Sequence, residues 1–202
     1  MRFWPPFHTY SLDIISTIPN KFIFRAPDRI RLQMTVDHLE INENPGTCLT
    51  HYNHSTRLWE CFHSPSTIGH HRLFIWALDN EKDEQWSTAV RFDIYIEQKT
   101  ESKSYPITTN IFNRLRCELI TPMNGILSRK NLPSHIIIRA PNVHDVQLQI
   151  DEQTLIKGKS YQNDIYKLEI PTVISDHATK CVVMGIYSDD MYYSILITYK
   201  IE

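Results

Sequence analysis

Apolar and polar residues alternate with a period of two along most of this chain. In the segment 89–96, for example, apolar residues take every second position from Val90, and Arg91 and Asp93 fall between them. This period is that of a β-strand with one buried face. Similar segments, rich in Ile, Val, Tyr, Phe and Thr, predict strands over 10–15, 21–25, 30–36, 57–62, 72–78, 89–96, 115–120, 135–139, 145–150, 165–170, 180–187 and 193–201.

Many short strands without a helical period longer than two turns predict an antiparallel β-sandwich. The chain has only five glycines in 202 residues, which is low for such a fold. Asn, Asp and Pro are therefore expected to form the turns, as in Asn44-Pro45-Gly46 and in the segment 122–125.

The pattern is repeated along the chain. The stretch 22–27, Phe-Ile-Phe-Arg-Ala-Pro, returns over 136–141 as Ile-Ile-Ile-Arg-Ala-Pro, and each copy leads into an alternating apolar segment followed by an aspartate. Both halves also close on an alternating strand before a glutamate, Glu97 in the first and Glu202 in the second. The sequence therefore predicts a duplicated domain rather than a repeated short motif.

Two domains and a linker follow from the repeat. We predict one sandwich over 1–98, a linker over 99–108 and a second sandwich over 109–202, because the stretch between the halves is polar and has no apolar period. Each half has about the size of a common domain. Since the chain opens and ends beside strands, we also expect it to be part of a longer polypeptide.

The repeated Arg-Ala-Pro triplet has a mechanical interpretation. Proline cannot donate to a strand ladder, so Pro27 and Pro141 are expected to end their strands. Arg25 and Arg139 alternate out of phase with the apolar residues and should face solvent or a sheet edge. The alternative is an exposed arginine that contacts a partner.

Charge and hydropathy exclude some classes of function. The 21 Lys and Arg balance 23 Asp and Glu, for a net charge of −2, so no basic field favours nucleic acid or an anionic membrane. No apolar run reaches the roughly 18 residues of a membrane span, and no hydrophobic signal segment follows the N-terminus. The sequence predicts a chain that is not exported, without nucleic-acid or membrane partners.

The four cysteines are expected to be free thiols in a chain that is not exported. Aligning the two halves places Cys117 opposite Leu12 and Cys181 opposite Leu73, which favours small buried apolar side chains. A bridge of the immunoglobulin type between Cys117 and Cys181 is the alternative. It is disfavoured because all four tryptophans lie in the first half and none can pack on such a bridge.

Histidine is concentrated in the first half. Within sixteen positions lie Cys48, His51, His54, Cys61 and His63, followed by His70 and His71. These are zinc-ligand types, but their spacing lacks the usual pairing, and Tyr52, Asn53 and Ser55 suit an exposed loop. We predict a surface loop without a metal; zinc binding and a pH-sensitive contact stay open as alternatives.

No constellation predicts catalysis, and we expect no catalytic, cofactor-binding or metal-binding residues. Cys61, His71 and Asp79 follow the order of a thiol triad, but Cys61 lies in an alternating segment instead of an activating position. The triplet beginning at Asn53 matches a glycosylation acceptor, which matters only outside the cytosol. The aromatic residues Trp4, Trp86, Tyr192 and Tyr193 are expected in a core or a hinge rather than in a ligand platform.

The second half also resembles a known family. Leu119-Ile120-Thr121-Pro122-Met123-Asn124-Gly125, the Arg-Ala-Pro strand, the segment 166–170 and the closing segment 192–199 are similar to the immunoglobulin-like repeats of kyphoscoliosis peptidase and hillarin-type proteins. The first half is more divergent, since it lacks the Pro-x-x-Gly turn. The resemblance implies an all-β fold of two tandem immunoglobulin-like antiparallel β-sandwich domains.

In that family the sandwiches follow a transglutaminase-like cysteine peptidase domain, and the proteins are associated with the cytoskeleton. No segment of this chain matches the catalytic motifs, so no catalytic residue is carried over. The resemblance implies either the non-enzymatic portion of such a protein or a relative that has lost the enzyme, with a cytoplasmic and cytoskeletal location and a protein partner; no cofactor is expected.

Three hypotheses of function follow. The first is an intracellular binding and spacer module that holds a protein partner by sheet edges or loops. The second is an accessory region that positions substrate for a transglutaminase-like peptidase domain encoded upstream. The third is an extracellular adhesion or glycan-binding pair, suggested by the fold class and the acceptor triplet at Asn53. Fold alone does not choose among them.

Overall fold

A computed structural model of the chain describes residues 13–18, 20–38, 46–65, 67–79, 85–98, 103–151, 154–162, 164–187 and 192–202; of residues 13–18, 37, 38 and 154 it describes only the backbone. The chain divides into two compact units, Met1–Ser104 and Tyr105–Glu202. The second unit includes residues 105–108, which the sequence assigned to the linker.

The described part of the first unit contains seven strands. They are β1 (Asp13–Ile18), β2 (Lys21–Arg25), β3 (Ile30–His38), β4 (Cys48–Asn53), β5 (Leu58–His63), β6 (Gly69–Asp79) and β7 (Ser87–Ile96). One sheet has the order β1-β2-β5-β4 and the other the order β3-β6-β7, and all neighbours are antiparallel. Consecutive strands β2 and β3 therefore lie in different sheets. This division of seven strands is that of an immunoglobulin constant-type sandwich.

The described residues of the second unit contain ten strands. They are β8 (Ile107–Thr108), β9 (Glu118–Thr121), β10 (Ile126–Leu127), β11 (His135–Arg139), β12 (Val143–Ile150), β13 (Thr154–Lys157), β14 (Lys159–Gln162), β15 (Ile165–Glu169), β16 (Lys180–Tyr187) and β17 (Ser194–Ile201). A short helix, α1 (Asn110–Arg114), follows β8, and a 3₁₀ turn spans Arg129–Asn131.

The same chain path recurs in the second unit. One sheet has the order β14-β15-β11-β9, and the other contains β12, β16 and β17 in the order that β3, β6 and β7 take in the first unit. The second sheet is wider, because β13 is added at one edge and β8 and β10 pair with β17 at the other. The β10–β17 pair is parallel. Two tandem immunoglobulin-like sandwiches are thus present, and the predicted fold class is confirmed.

Alternating residues of facing strands form the core of the first unit. Phe22 and Phe24 of β2 point at Phe92 of β7, with ring centroids 4.9 Å and 6.4 Å apart. Leu32 and Trp59 are fully buried beside them. Burying side chains of this size contributes about 1.5–3 kcal/mol each, so the period-two pattern accounts for most of the cohesion.

The second unit has its own core. Buried positions alternate along β11, β12 and β15, and they include Ile136, Ile138, Leu148 and Leu168. Phe112 of α1 is fully buried, which places this helix over the core rather than on the surface. Tyr199 of β17 is also buried. Its hydroxyl donates a hydrogen bond to the Pro122 carbonyl oxygen at 3.1 Å, so the polar end of the side chain has a partner.

A threonine links the two sheets of the first unit at one edge. Thr50 of β4 accepts a 2.9 Å hydrogen bond from the backbone N–H of Met34, which belongs to the edge strand β3 of the other sheet. The Thr50 hydroxyl also donates to the Cys61 sulfur at 3.7 Å. The Met34 N–H at the β3 edge therefore has a hydrogen-bond acceptor, because the Thr50 side chain takes the place of a neighbouring strand.

The Arg-Ala-Pro triplet ends a strand in each unit, as predicted. β2 ends at Arg25 and β11 at Arg139, one residue before the alanine. Arg25 is exposed, whereas Arg139 donates to the Glu118 carboxylate on the neighbouring strand at 2.9 Å. The second arginine is therefore tied to a sheet edge and not offered to solvent.

Three predicted strands, 21–25, 135–139 and 180–187, have the predicted bounds. The alternation did not reveal β4, β13 and β14. In β4 four consecutive residues are buried, so no alternation is visible, and all four side chains of β14 are exposed, so no apolar signal exists. Residues 10–12 of the first predicted strand and residues 44–45 of the predicted turn lie outside the described part.

Neither helical segment in the described part of the chain has the length and apolarity required to cross a membrane.

Replacing Thr50 by valine tests the link between the sheets. The change keeps the side-chain shape but leaves the buried Met34 N–H without its acceptor, so we expect a loss of about 1–3 kcal/mol in the free energy of unfolding. Denaturant unfolding followed by tryptophan fluorescence reports the first unit alone, since all four tryptophans lie there. Thr88→Val, on the half-buried outer side of β7, is the matched control and should change little. Equal losses for the two variants would show that the hydrogen bond does not link the sheets.

Replacing Gly125 by alanine tests how the second unit begins. A Cβ at this position would lie 2.2 Å from the Tyr105 carbonyl oxygen, whereas the two atoms nearest to a Cβ at Gly185 belong to side chains, Val143 Cγ1 at 2.9 Å and Leu196 Cδ1 at 3.1 Å, and the Asp145 carbonyl oxygen lies at an ordinary contact distance of 3.6 Å. Backbone atoms move aside less easily than side chains do. We therefore expect Gly125→Ala to lower the free energy of unfolding by more than about 2 kcal/mol, and Gly185→Ala to lower it by less. Hydrogen exchange of the β17 amides measures the effect. A larger cost for Gly185→Ala contradicts this packing.

Candidate functional site

The structure does not assemble the thiol triad Cys61, His71 and Asp79. Cys61 is fully buried in β5, while His71 and Asp79 lie at opposite ends of β6. Eight residues of extended strand separate two side chains by about 26 Å, far beyond a hydrogen bond. Asp79 instead pairs with Arg29, with Nε and Oδ2 3.0 Å apart.

The buried thiols are poor nucleophiles. Burial raises the pKa of Cys61 and of Cys181 to about 12, and it also raises the pKa of Cys117. The thiolate is the reactive form, so these side chains behave as apolar groups at neutral pH. The prediction that Cys117 and Cys181 occupy core positions is confirmed; Leu12, the aligned partner of Cys117, lies outside the described residues.

The histidine-rich segment is not a surface loop, and that prediction was wrong. Residues 48–53 and 58–63 form the antiparallel hairpin β4–β5, and only residues 54–57 form its turn. The mixture of polar types was misleading because several of these polar side chains are buried. Thr50, His51 and His63 have almost no exposed surface.

The candidate zinc ligands of the hairpin point to different sides of the sheet. His51 lies on the outer side of the sheet against Glu60, and His54 is in the turn, where its ring meets Tyr52 with centroids 4.9 Å apart. Cys61 and His63 face the core. In the part of the chain that the structure describes, no three His, Cys, Asp or Glu side chains form a group that could hold a metal.

Glu60 is the centre of a polar network on the outer side of the first sheet. Its carboxylate lies 3.0 Å from Lys21 Nζ and 3.5 Å from His51 Nε2, and it accepts a 3.2 Å hydrogen bond from Asn53 Nδ2. The hydrogen bond with His51, and then the Lys21 ammonium, lower the pKa of Glu60 to about 2. Lys21 also lies over the Phe62 ring, 5.0 Å from its centroid. The network connects β2, β4 and β5.

Asn53 has a structural task. Its Oδ1 accepts from the backbone N–H groups of Ser55 and Thr56 at 3.0 and 3.1 Å, which shapes the turn between β4 and β5. Its Nδ2, the atom that a glycan would occupy, donates to Glu60. A bonded amide in a tight turn accounts for the asparagine without a glycan.

The predicted aromatic candidates have different positions. Trp4 lies outside the described residues, and Trp86 is half-buried just before β7. Tyr193 is half-buried and donates to Asp145 Oδ2 at 2.8 Å, whereas Tyr192 beside it is 80% exposed. Tyr192 is therefore not a core residue, and a hinge position for it stays a prediction.

A cleft of about 640 Å³ opens at one end of the second unit. Asp151, Ser175 and His177 line it, which are the residue types of a serine triad. The Asp151 and Ser175 side chains accept from the backbone: Asp151 Oδ1 accepts from the Thr179 N–H at 3.0 Å, and Ser175 Oγ accepts from the His177 backbone N–H at 3.4 Å. These contacts, with the Arg129 guanidinium donating to the Ala178 carbonyl, fix the loop before β16.

The outer side of the sheet β3-β6-β7 is the best candidate for a binding surface. Along β6 the outward positions hold aromatic and charged side chains, and cross-strand neighbours on β7 continue the set. We call this surface the aromatic face; its members are His70, Arg72, Phe74, Trp76, Arg91, Asp93 and Tyr95. Tryptophan, tyrosine and arginine are the residues most enriched where proteins bind one another tightly.

Contacts within the aromatic face hold its side chains in place. Phe74 and Trp76 have ring centroids 5.8 Å apart, and Trp76 Nε1 donates to the Thr35 hydroxyl at 2.8 Å. Asp93 accepts from Arg72 at 3.2 Å and forms an ion pair of the same length with Arg91. A surface fixed before binding loses less conformational freedom when a partner arrives.

The sequence analysis did not predict the aromatic face, although the alternation of residues along the chain indicates it. The predicted strand 72–78 alternates Leu73, Ile75 and Ala77 with Phe74 and Trp76, so aromatic rings occupy the positions where solvent-facing polar residues are expected. A strand that is apolar on both sides indicates either a doubly covered strand or an exposed binding surface.

A scan of protein-family models matches no family, and a search of the curated proteins returns no match. The strand order defines the class of protein, a pair of immunoglobulin-like β-sandwiches. Kinship with kyphoscoliosis peptidase and hillarin-type proteins stays a prediction.

Acidification tests the Glu60 network. Because the pKa of Glu60 is about 2 in the folded chain against 4.5 ordinarily, its contribution to stability is complete above pH 4.5 and is lost as the pH falls from 4.5 toward 2. With allowance for solvent screening, the contribution is on the order of 2 kcal/mol. Glu60→Gln should flatten this part of the pH profile of unfolding, whereas Glu97→Gln, an exposed control, should leave it unchanged. Identical profiles for wild type and Glu60→Gln would refute the role of the network.

Proposed function

We propose that this chain is a non-catalytic protein-binding and spacer module, in which two immunoglobulin-like sandwiches present a binding surface to a partner protein. The observation that carries the proposal is the aromatic face. Half-buried Phe74 and Trp76 occupy outward positions of the central strand β6, beside Tyr95, which is 57% exposed. A fold gains no core packing from such residues on its outer side, so a partner is the simplest use for them.

The tandem arrangement supports the spacer role. Each unit has its own core, and the stretch between them is short and poor in glycine. The resemblance to cytoskeleton-associated proteins motivates a cytoskeletal partner and a cytoplasmic location, and both belong to this proposal.

Catalysis would need a different arrangement of the described residues. Cys61 is buried, His71 and Asp79 lie far apart on β6, and the Asp151 carboxylate and the Ser175 hydroxyl accept hydrogen bonds from backbone N–H groups. These observations favour a binding role. The use of the pair as an accessory region of a larger peptidase agrees with the same surface, because positioning a substrate also requires protein binding.

A pull-down with matched variants tests the proposal. The full chain is immobilised and incubated with cytoskeletal extract, and recovered proteins are quantified by mass spectrometry. We expect the double variant Arg72→Glu with Tyr95→Ala to reduce recovery of the specific partners by about tenfold or more, since loss of a central anchor commonly costs over 1 kcal/mol per residue.

The control is a double variant with the same chemistry elsewhere, Arg25→Glu with Tyr161→Ala. Arg25 is exposed at the end of β2, and Tyr161 is 74% exposed on β14 of the second unit. It should recover the partners as wild type does. The proposal fails if wild type enriches no protein, or if both double variants lose the same partners.

A further inference from the structure

Strand β7 is a long, regular edge of the sheet β3-β6-β7. From Val90 to Ile96 it pairs with β6 residue for residue, and the bulge of this pair lies before that stretch, between Ile75 and Trp76 of β6. In the part of the chain that the structure describes, no strand pairs with β7 on the side away from β6. A regular edge of this length can accept another strand through main-chain hydrogen bonds.

The second unit shows how the same edge of the fold is used. Aligned at the closing glutamates of the two halves, Phe92 and Ile96 of β7 match Ile197 and Ile201 of β17. At Ile197 strand β17 pairs with β8, and at Ile201 it pairs with β10. In the second unit, therefore, added strands cover the edge that β7 forms in the first.

The connection between β1 and β2 does not supply a counterpart of β10. In the second unit β10 lies on the way from β9, which ends at Thr121, to β11, which begins at His135. In the first unit β1 ends at Ile18 and β2 begins at Lys21. At about 3.5 Å per residue, this connection cannot cross the roughly 10 Å between two sheets and return. A strand that covers β7 in the manner of β10 must come from elsewhere.

The sequence of β7 is complementary to itself. When two β7 strands are placed antiparallel with Phe92 opposite Phe92, Arg91 of each copy lies opposite Asp93 of the other. On the apolar side, Val90 of each copy lies opposite Ile94 of the other. Cross-strand pairs of opposite charge and of apolar residues both stabilise a sheet. The strand thus has the self-complementarity that a two-fold interface requires.

Other registers of the same strand are less favourable. A shift of one residue would place apolar side chains of one copy beside outward polar ones of the other. Centring the pair on Arg91 or on Asp93 would place a charge opposite itself, which is destabilising. Centring it on Ile94 would use only residues 92–96, because β7 ends at Ile96. The register centred on Phe92 uses residues 88–96.

The charged side chains can serve both copies at once. Arg91 and Asp93 form an ion pair within one chain, with Nη2 and Oδ2 3.2 Å apart, and their side chains are still 29% and 38% exposed. A guanidinium has five N–H donors and a carboxylate has about four acceptor sites, so each group can hold a second partner. Val90 and Ile94 are only partly buried against the core, and a neighbouring strand would cover more of their surface.

We propose that the partner of β7 is a second copy of this chain. Two first units join through antiparallel β7 strands, with the two-fold axis at Phe92, into one continuous sheet of the order β3-β6-β7-β7-β6-β3. The aromatic faces of the two copies then lie side by side on the same side of the joined sheet. The dimer does not depend on the proposed partner protein, so either proposal can fail alone.

Charge reversal in the full chain tests the pairing. In sedimentation velocity over a dilution series, wild type should pass from one chain to two chains per particle as the concentration rises. Arg91→Asp places like charges opposite each other at both pairs, and so does Asp93→Arg. Each variant alone should therefore dimerise at least about tenfold more weakly. An equal mixture of the two should regain the dimer, because each pair then joins an aspartate to an arginine.

Glu97→Arg is the matched control. Glu97 is exposed just after β7 and has no charged partner in the proposed register, so this variant should dimerise as wild type does. The proposal is overturned if wild type remains a single chain at every concentration, which would leave the edge to a different protein. It is also overturned if Glu97→Arg weakens the dimer as Asp93→Arg does, or if the mixture dimerises no better than the separate variants.

An isotope-filtered nuclear Overhauser spectrum of wild type gives a readout that does not depend on the folding of variants. The sample mixes labelled and unlabelled chains, so that only contacts between copies are observed. We expect contacts between Val90 of one copy and Ile94 of the other, and between the two copies of Phe92. Contacts between copies that involve only other strands would contradict the pairing.

Discussion

The crossing of the chain between two sheets is the constraint on which the structure depends. β2 carries the phenylalanines of the core, yet its neighbours are β1 and β5, while the next strand in sequence, β3, pairs with β6 in the other sheet. Because side chains alternate along a strand, each sheet has one apolar side, and only a second sheet can cover it. The turn at Arg-Ala-Pro makes this crossing in both units, since proline ends the ladder where the chain must leave the sheet.

Once the crossing is made, the outer sides of the sheets are free to differ. In the first unit the outer side of one sheet carries the Glu60 network, and the outer side of the other carries the aromatic face. Both consist of cross-strand neighbours, which come together only when the register is correct. The proposed binding role thus depends on the same register that fills the core.

Alternation and proline predicted the parts of the fold that follow simple rules. The strands 21–25, 135–139 and 180–187 each have one buried side, and their bounds were found. β4 was missed because Leu49 and His51 are buried on the side where polar residues were expected, and β14 because an exposed edge strand has no apolar signal. The contact between the His63 and His71 rings, whose centroids lie 5.6 Å apart, could not be predicted either, since the two residues belong to different sheets. The outward positions of Phe74 and Trp76 could have been predicted, because they follow from the alternation of residues 72–78 alone.

The most direct test of this account is the set of cross-strand contacts in a nuclear Overhauser spectrum of the labelled chain. The account predicts close backbone protons between Phe24 of β2 and Trp59 of β5, and between Leu32 of β3 and Ala77 of β6. It predicts none between β2 and β3 beyond their turn. Strong contacts along a β2–β3 hairpin, with no contacts between β2 and β5, would contradict the two-sheet crossing and with it the aromatic face.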